Sequence, residues 1–117
     1  MADYVRNKDL FLEICRCQDA SIDASPELIK MFTLMSERYS RKFTYKYESD
    51  RDDCIAGGVM DCYQYWNRFD RTRTTNAFAY ISSIVANGQK KVFRKLWPDE
   101  VRGVIHVSLS NNKIYYL

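Results

Sequence analysis

Apolar residues recur along this chain at helical steps in four places and at strand-like steps in one. Leu10, Phe11, Ile14 and Cys17 fall on one face of a helix expected over 7–17, with Asn7 as its cap. A polar stretch follows, and Ser25-Pro26 then opens a second helix, because proline at the first helical position lacks an N–H that would be unsatisfied anyway. Leu28, Phe32, Met35 and Tyr39 continue it at steps of four, three and four, as an amphipathic stripe requires. This helix is expected to fray near Lys42, where Phe43 to Tyr47 read as a β-prone segment or an aromatic helix end.

The third helix has a marked beginning. Ser49-Asp50-Arg51-Asp52 has the form of a capping box, and Asp50, Asp52 and Asp53 suit the positive end of a helix dipole. Its buried stripe is expected to be Ile55, Val59, Cys62, Trp66 and Phe69. Gly57-Gly58 costs about 1 kcal/mol per residue against alanine inside a helix, so the pair predicts close approach by another backbone. After the polar loop 71–75, Asn76 caps a fourth helix over 77–96. Phe78, Ile81, Val85, Gly88 and Val92 form its expected core stripe. Tyr80, Ser83, Asn87, Lys90 and Arg94 repeat the same steps two residues later, which at about 100° per residue places them on the opposite side. Trp97-Pro98 ends the helix. Beyond it Val104, Ile105, Val107 and Leu109 alternate as in a strand, and Ile114 to Leu117 close a small hairpin or docking tail. The fold class is thus mainly α, a bundle of about four helices over 1–97, with a short β-like or extended tail over 98–117.

Composition removes several functions. The 117 residues suit one domain, and no apolar run approaches the ~20 residues of a membrane span. Met1 to Leu10 hold no apolar h-region, so a secretory leader is not expected. Cys15, Cys17, Cys54 and Cys62 contain no C-x-x-C pair, so reduced, partly buried thiols are expected ahead of a metal site or a disulfide framework. His106 is the only histidine and sits in an apolar run. With no nucleophile elbow, phosphate-binding loop or dinucleotide fingerprint, neither an enzyme nor a cofactor or metal is expected.

Charge is distributed unevenly behind a net +3. The segment 48–61 holds five acidic residues and one basic, a net −4. The segment 68–95 holds Arg68, Arg71, Arg73, Lys90, Lys91, Arg94 and Lys95 against Asp70 alone, a net +6. Helix-dipole complementarity accounts for much of this. It does not account for Arg71 and Arg73 in a loop, or for Tyr80 and Asn87 in line with the basic residues. Cations beside an exposed aromatic ring and an amide are what phosphate contact and base stacking need.

The stretch DCIAGGVMDCYQYWNRFD (53–70), followed by Arg71, Arg73 and Ala79-Tyr80, resembles conserved region 2 of bacterial sigma factors. In that family an acidic residue is followed five positions later by a glycine, Phe-Asp closes the helix, and a tyrosine falls ten residues on. Asp53, Gly58, Phe69-Asp70 and Tyr80 keep each spacing without a gap. Phe69-Asp70, Thr72, Asn76, Ala79-Tyr80-Ile81 and Asn87 are more narrowly similar to the late-transcription sigma factors of T-even-type phages. The resemblance implies that the third helix docks on the coiled coil of the largest subunit of RNA polymerase core, through Asp53, Ala56, Val59, Met60 and Tyr63. It implies that the loop and fourth helix bind the melted non-template strand of a minus-ten-like promoter element. Arg71 and Arg73 would hold phosphates, Tyr80 would stack on an unpaired base, and Asn87 and Lys90 would face the upstream edge, with Ser83, Lys91 and Arg94 on the same basic helix.

Two departures qualify this. Housekeeping members carry glutamine and glutamate where this chain has Ala56-Gly57, and their duplex-wedging tryptophans fall on Ser83 and Ile84. Twenty residues after Trp97 do not suffice for a helix-turn-helix reading the upstream element. Other proteins are therefore expected to supply upstream contacts. The resemblance to the phage factors implies a co-activator and a sliding clamp, the clamp held by Ile114 to Leu117, which lack the acidic residues of such tails and otherwise read as a packed strand. The expected setting is the cytoplasm of a bacterial host. The alternatives are a sigma-like decoy that binds polymerase without reading promoters, and a helical interaction module with a merely solvated basic face.

Overall fold

The computed structural model describes residues 4–98, which fold into four α-helices and one 3-10 turn with no strand among them. The chain is mainly α, as the apolar periodicity requires. The helices are α1 (Asn7–Ala20), α2 (Pro26–Ser40), α3 (Glu48–Tyr65) and α4 (Ala77–Leu96), and the turn Trp66–Arg68 extends α3. The tail 99–117, with His106 and the expected hairpin, lies outside the described residues.

Local chemistry sets most of the ends. α1 runs three residues past its expected end and stops where Ser21 enters the left-handed region at φ 55°, its N–H returning to the Cys17 and Gln18 carbonyls. Ser25 caps α2 as expected, its Oγ accepting from the Leu28 N–H at 3.1 Å. The same hydroxyl donates to Glu13 Oε2 at 2.5 Å, tying the middle of α1 to the start of α2. α2 ends at Ser40, and Phe43 to Tyr47 form neither a strand nor a helix end but an irregular connection. Its rings are used for packing instead: Phe43 lies on Tyr39, and Tyr45 on Phe93 of α4. α3 begins one residue before the expected cap, at Glu48, with no side-chain cap from Tyr47 or from Ser49.

α3 and α4 pack antiparallel, and glycine makes the contact possible. A Cβ on Gly57 would lie 2.4 Å from Val92 Cγ2, and one on Gly58 would lie 2.4 Å from Ser36 Oγ. A Cβ on Gly88 would lie 2.8 Å from the Gly57 carbonyl oxygen and 3.0 Å from Gly58 Cα. The close approach expected from the glycine pair is therefore present, with Gly88 as its counterpart. It also shifts the first half of the buried stripe of α3 by one position, while Cys62, Trp66 and Phe69 are buried as expected. Cys54, Gly58 and Cys62 are buried, whereas Ile55 and Val59 are only half-buried. On α4 the core residues are Ala77, Ile81, Val85, Gly88, Gln89 and Phe93; Phe78 is 40% exposed and Val92 half-buried. Leu10, Ile14, Leu28 and Phe32 complete the core from α1 and α2.

At the far end of the antiparallel pair, Trp97 donates from Nε1 to Asp50 Oδ2 at 2.9 Å and stacks on Tyr47, with Lys46 Nζ 5.0 Å from its ring centre. The acidic opening of α3 and the basic close of α4 thus share one end of the molecule, so the −4 and +6 segments are spatial neighbours. The four cysteines are free thiols, Cys17, Cys54 and Cys62 buried and Cys15 half-buried. Burial pushes Cys54 up to about 11 and Cys62 up to about 12, with nearby aspartates adding to both.

The α1–α2 junction predicts an acid response. Arg16 donates to Glu13 at 2.7 and 3.1 Å, and together with Ser25 it holds the carboxyl at about 2, against an ordinary 4.5. A depressed carboxylate stabilises the fold above about pH 4.5, and that contribution is lost as pH falls from there towards 2. Glu13→Gln is expected to lower stability at pH 7 by about 1–2 kcal/mol and to flatten the decline between pH 5 and pH 2. Urea midpoints across that range test this; an unchanged acid limb would refute it.

Candidate nucleic-acid interface

The basic candidates sit on α4 and on the loop that precedes it. Over its unbroken length α4 places Tyr80, Ser83, Asn87, Lys90 and Arg94 along one side, spanning about 21 Å. Ser83, Asn87 and Arg94 are exposed and Lys90 is half-buried. Neither Lys90 nor Arg94 makes a side-chain hydrogen bond or ion pair with another described residue. Lys91 stands apart: its Nζ lies 2.8 Å from Asp61 of α3, so its charge is already paired.

Tyr80 is half-buried rather than displayed. Its ring lies 5.4 Å from Phe69, and its hydroxyl donates to the Tyr65 carbonyl at 2.9 Å, which fixes the ring at the junction of α3 and α4. Burial raises its ionisation above the usual phenol value.

The loop 69–76 is folded by its own side chains. Asp70 Oδ1 accepts from the Thr72 N–H at 3.1 Å and from its hydroxyl at 2.6 Å, and Thr74 Oγ1 accepts from the Asn76 N–H at 3.0 Å. The Thr72 bonds, aided by nearby Arg73, hold the Asp70 carboxyl below its usual value. The two loop arginines differ. Arg73 is exposed, with no side-chain hydrogen bond or ion pair to another described residue. Arg71 reaches back to α1, donating to Asp19 Oδ1 at 2.5 Å and to the Cys15 carbonyl at 3.2 Å.

Asn7 shows how a residue type can be legible while its partner is not. It was expected to cap α1, yet Arg6 holds that position and Asn7 is the first helical residue. Its amide instead serves α4: Oδ1 accepts from the Phe78 N–H at 2.9 Å, while Nδ2 donates to the Thr75 carbonyl at 3.0 Å. Asn76 caps α4 as expected, accepting from the Ala79 N–H at 3.0 Å, so two asparagines share that helix end.

The polymerase-contact candidates share the outer face of α3. Asp53 and Ala56 are exposed, Met60 is 65% and Tyr63 45% exposed, and Val59 is half-buried. Beside them a depression of about 380 Å³ opens towards Thr33 and Glu37 of α2. Such large apolar side chains left exposed in register suit a protein contact. A second concavity was not foreseen. A cleft of about 540 Å³ lies between Tyr4, the end of α2 and the start of α4, with Arg38, Lys42 and Phe78 on its walls. Arg38 stands 6.0 Å from the Tyr4 ring centre and Lys42 5.1 Å from that of Tyr39. The only sequence signal for it is the basic close of α2.

Among the described residues no three His, Cys, Asp or Glu side chains converge as metal ligands, and no helix is long and apolar enough to cross a membrane. No family model, curated protein or solved structure matches this chain.

Proposed function

We propose that the chain is a minimal sigma factor of the phage late-transcription type, which binds RNA polymerase core and reads a minus-ten-like element. The observation that carries this reading is the separation of two surfaces on one helical pair. The outer face of α3 offers Asp53, Ala56, Met60 and Tyr63 to a protein, while Arg73 and the Ser83–Asn87–Lys90–Arg94 side of α4 offer amide, hydroxyl and unpaired cations to a strand. The spacing from Asp53 to Tyr80 that resembles sigma region 2 joins these two surfaces through one loop. A co-activator or sliding clamp would supply further contacts, and the bacterial cytoplasm would be the setting.

A second reading keeps the polymerase contact and drops the promoter. Tyr80 engaged with Phe69 and Tyr65, and Arg71 engaged with Asp19, favour it, because both side chains already have structural employment. One experiment separates the two. The protein added to core polymerase should direct initiation from an A·T-rich minus-ten site. It should also bind the single-stranded non-template oligonucleotide with a salt slope of about −0.7 for each phosphate contact. Replacing Arg73, Lys90 and Arg94 together by glutamine should weaken that binding at least about tenfold and lower the slope by about 2, with polymerase binding retained. A protein that binds polymerase but is indifferent to these three substitutions is the decoy. One that binds neither polymerase nor oligonucleotide is a helical module of another kind.

A further inference from the structure

Three polar side chains of α1 reach the loop 69–76 from two separated places. Gln18 Nε2 donates to the Phe69 carbonyl at 3.0 Å, and Asp19 receives Arg71 at 2.5 Å, with the Cys15 carbonyl as a second acceptor. At the other end of the helix, Asn7 binds the Thr75 carbonyl and the Phe78 N–H. Eleven or twelve helical residues separate these grips, about 17 Å of rise. The loop therefore runs antiparallel beside α1 and is fastened at both ends. Between the grips its own Asp70 and Thr74 turns set the backbone, and Arg73 is the cation left facing outward.

We infer that α1 is the mould of the loop, and that Arg71 is a positioning residue rather than a phosphate contact. Two of its N–H groups are spent on α1, in a charge-assisted pair and a carbonyl contact, and that pair spans 52 positions of sequence. A strut of this kind holds the backbone on either side of Arg73 in one place before any strand arrives. Less ordering is then required on binding. Asp19 and Gln18 thereby acquire a role in strand recognition without touching the strand. This part of the inference rests on the function proposed above; the fastening of the loop by α1 does not.

The test uses the full chain and two independent readouts. Amide hydrogen exchange should show that Asp19→Asn speeds exchange at Arg73, and Asn7→Ala at Asn76, while the buried amides of α2 and α3 keep their protection. Loop amides as protected as in the unaltered chain would overturn the mould. The second readout is binding to a single-stranded A·T-rich oligonucleotide as salt is varied. If Arg71 is a strut, both Arg71→Gln and Asp19→Asn weaken binding by about fivefold, leave the salt slope unchanged and are not additive when combined. Arg73→Gln, by contrast, lowers the slope by about 0.7. If Arg71 instead holds a phosphate, Asp19→Asn frees it and tightens binding, and Arg71→Gln lowers the slope; either result overturns the assignment. An unaltered chain that binds no oligonucleotide would dismiss the proposed function, and hydrogen exchange alone would then decide the fastening.

Discussion

Gly88→Ala should destabilise the protein by about 2–3 kcal/mol, even though alanine is the better helix former by about 1 kcal/mol. The atoms in its way are backbone: the Gly57 carbonyl oxygen at 2.8 Å and Gly58 Cα at 3.0 Å, with Asp61 Cβ at 3.2 Å. No side-chain rotation relieves such a contact. The two helices must move apart, and the separation would be felt along the interface, at Val92 against Gly57 and at Gln89 against Gly58. Gly57→Ala meets a different obstacle, the stiff branched end of Val92, and combining it with Val92→Ala should recover part of its loss. Urea denaturation of the three variants measures this. If Gly88→Ala were as stable as the unaltered chain, the close α3–α4 crossing would be wrong.

Gln89→Glu is expected to be worse, at about 3–5 kcal/mol near neutral pH. Gln89 is fully buried, and its Nε2 donates to the Ser36 carbonyl at 2.8 Å and to Ser36 Oγ at 2.9 Å, while its Oε1 accepts from the Tyr45 hydroxyl. Ser36 Oγ in turn donates to the Ile55 carbonyl at 2.8 Å. This single amide therefore links α2, α4 and the connection before α3. A carboxylate there would set acceptor against acceptor at Ser36 and leave a buried charge without a counter-ion. Burial raises the pKa of such a carboxyl above its unfolded value, so the loss is greatest at high pH and shrinks as pH falls towards 4. Gln89→Leu, which removes the bonds without adding charge, should cost about 1–3 kcal/mol with little pH dependence. Thermal or urea melts at pH 7 and pH 5 check the sign. Equal destabilisation by glutamate at both values would refute it.

Much of the fold was legible because its signals are local. Ser25-Pro26 and Asn76 mark helix starts through bonds to their own next turn, and the α4 boundaries follow from them. Gly57-Gly58 announced a close neighbour, because their helix-propensity cost needed a reason. The misplaced stripes have one physical cause. Ranking positions by apolarity selected Ile55, Val59 and Phe78, whereas the contact with Gly88, which the α4 stripe did include, selects small side chains and one amide: Cys54, Gly58 and Gln89. Gln89 could not be found that way, since only its partners at Ser36 and Tyr45 make a buried amide acceptable. The candidate site divides along the same line. The face carrying Ser83, Asn87 and Arg94 follows from helical periodicity. The pairing of Arg71 with Asp19, of Lys91 with Asp61 and of Asn7 with Phe78 depends on residues 30 to 71 positions away.

The fastening of the loop to α1 also bears on the order in which the molecule assembles. The hydrogen bonds from α1 to the segment 67–78 close sequence separations of 49 to 71 residues, whereas α3 and α4 meet across the short connection 66–76. Contacts that close long loops are entropically the later ones. On the ribosome, α1 is made first yet must wait for Phe78 before its Asn7 has a partner. In refolding of the whole chain, the α3–α4 pair is therefore expected to form ahead of the fastening by α1, and the loop 69–76 takes its final shape last. Under the proposed function, a refolding chain would form the α3 surface proposed to hold a protein before the loop proposed to meet a nucleic acid.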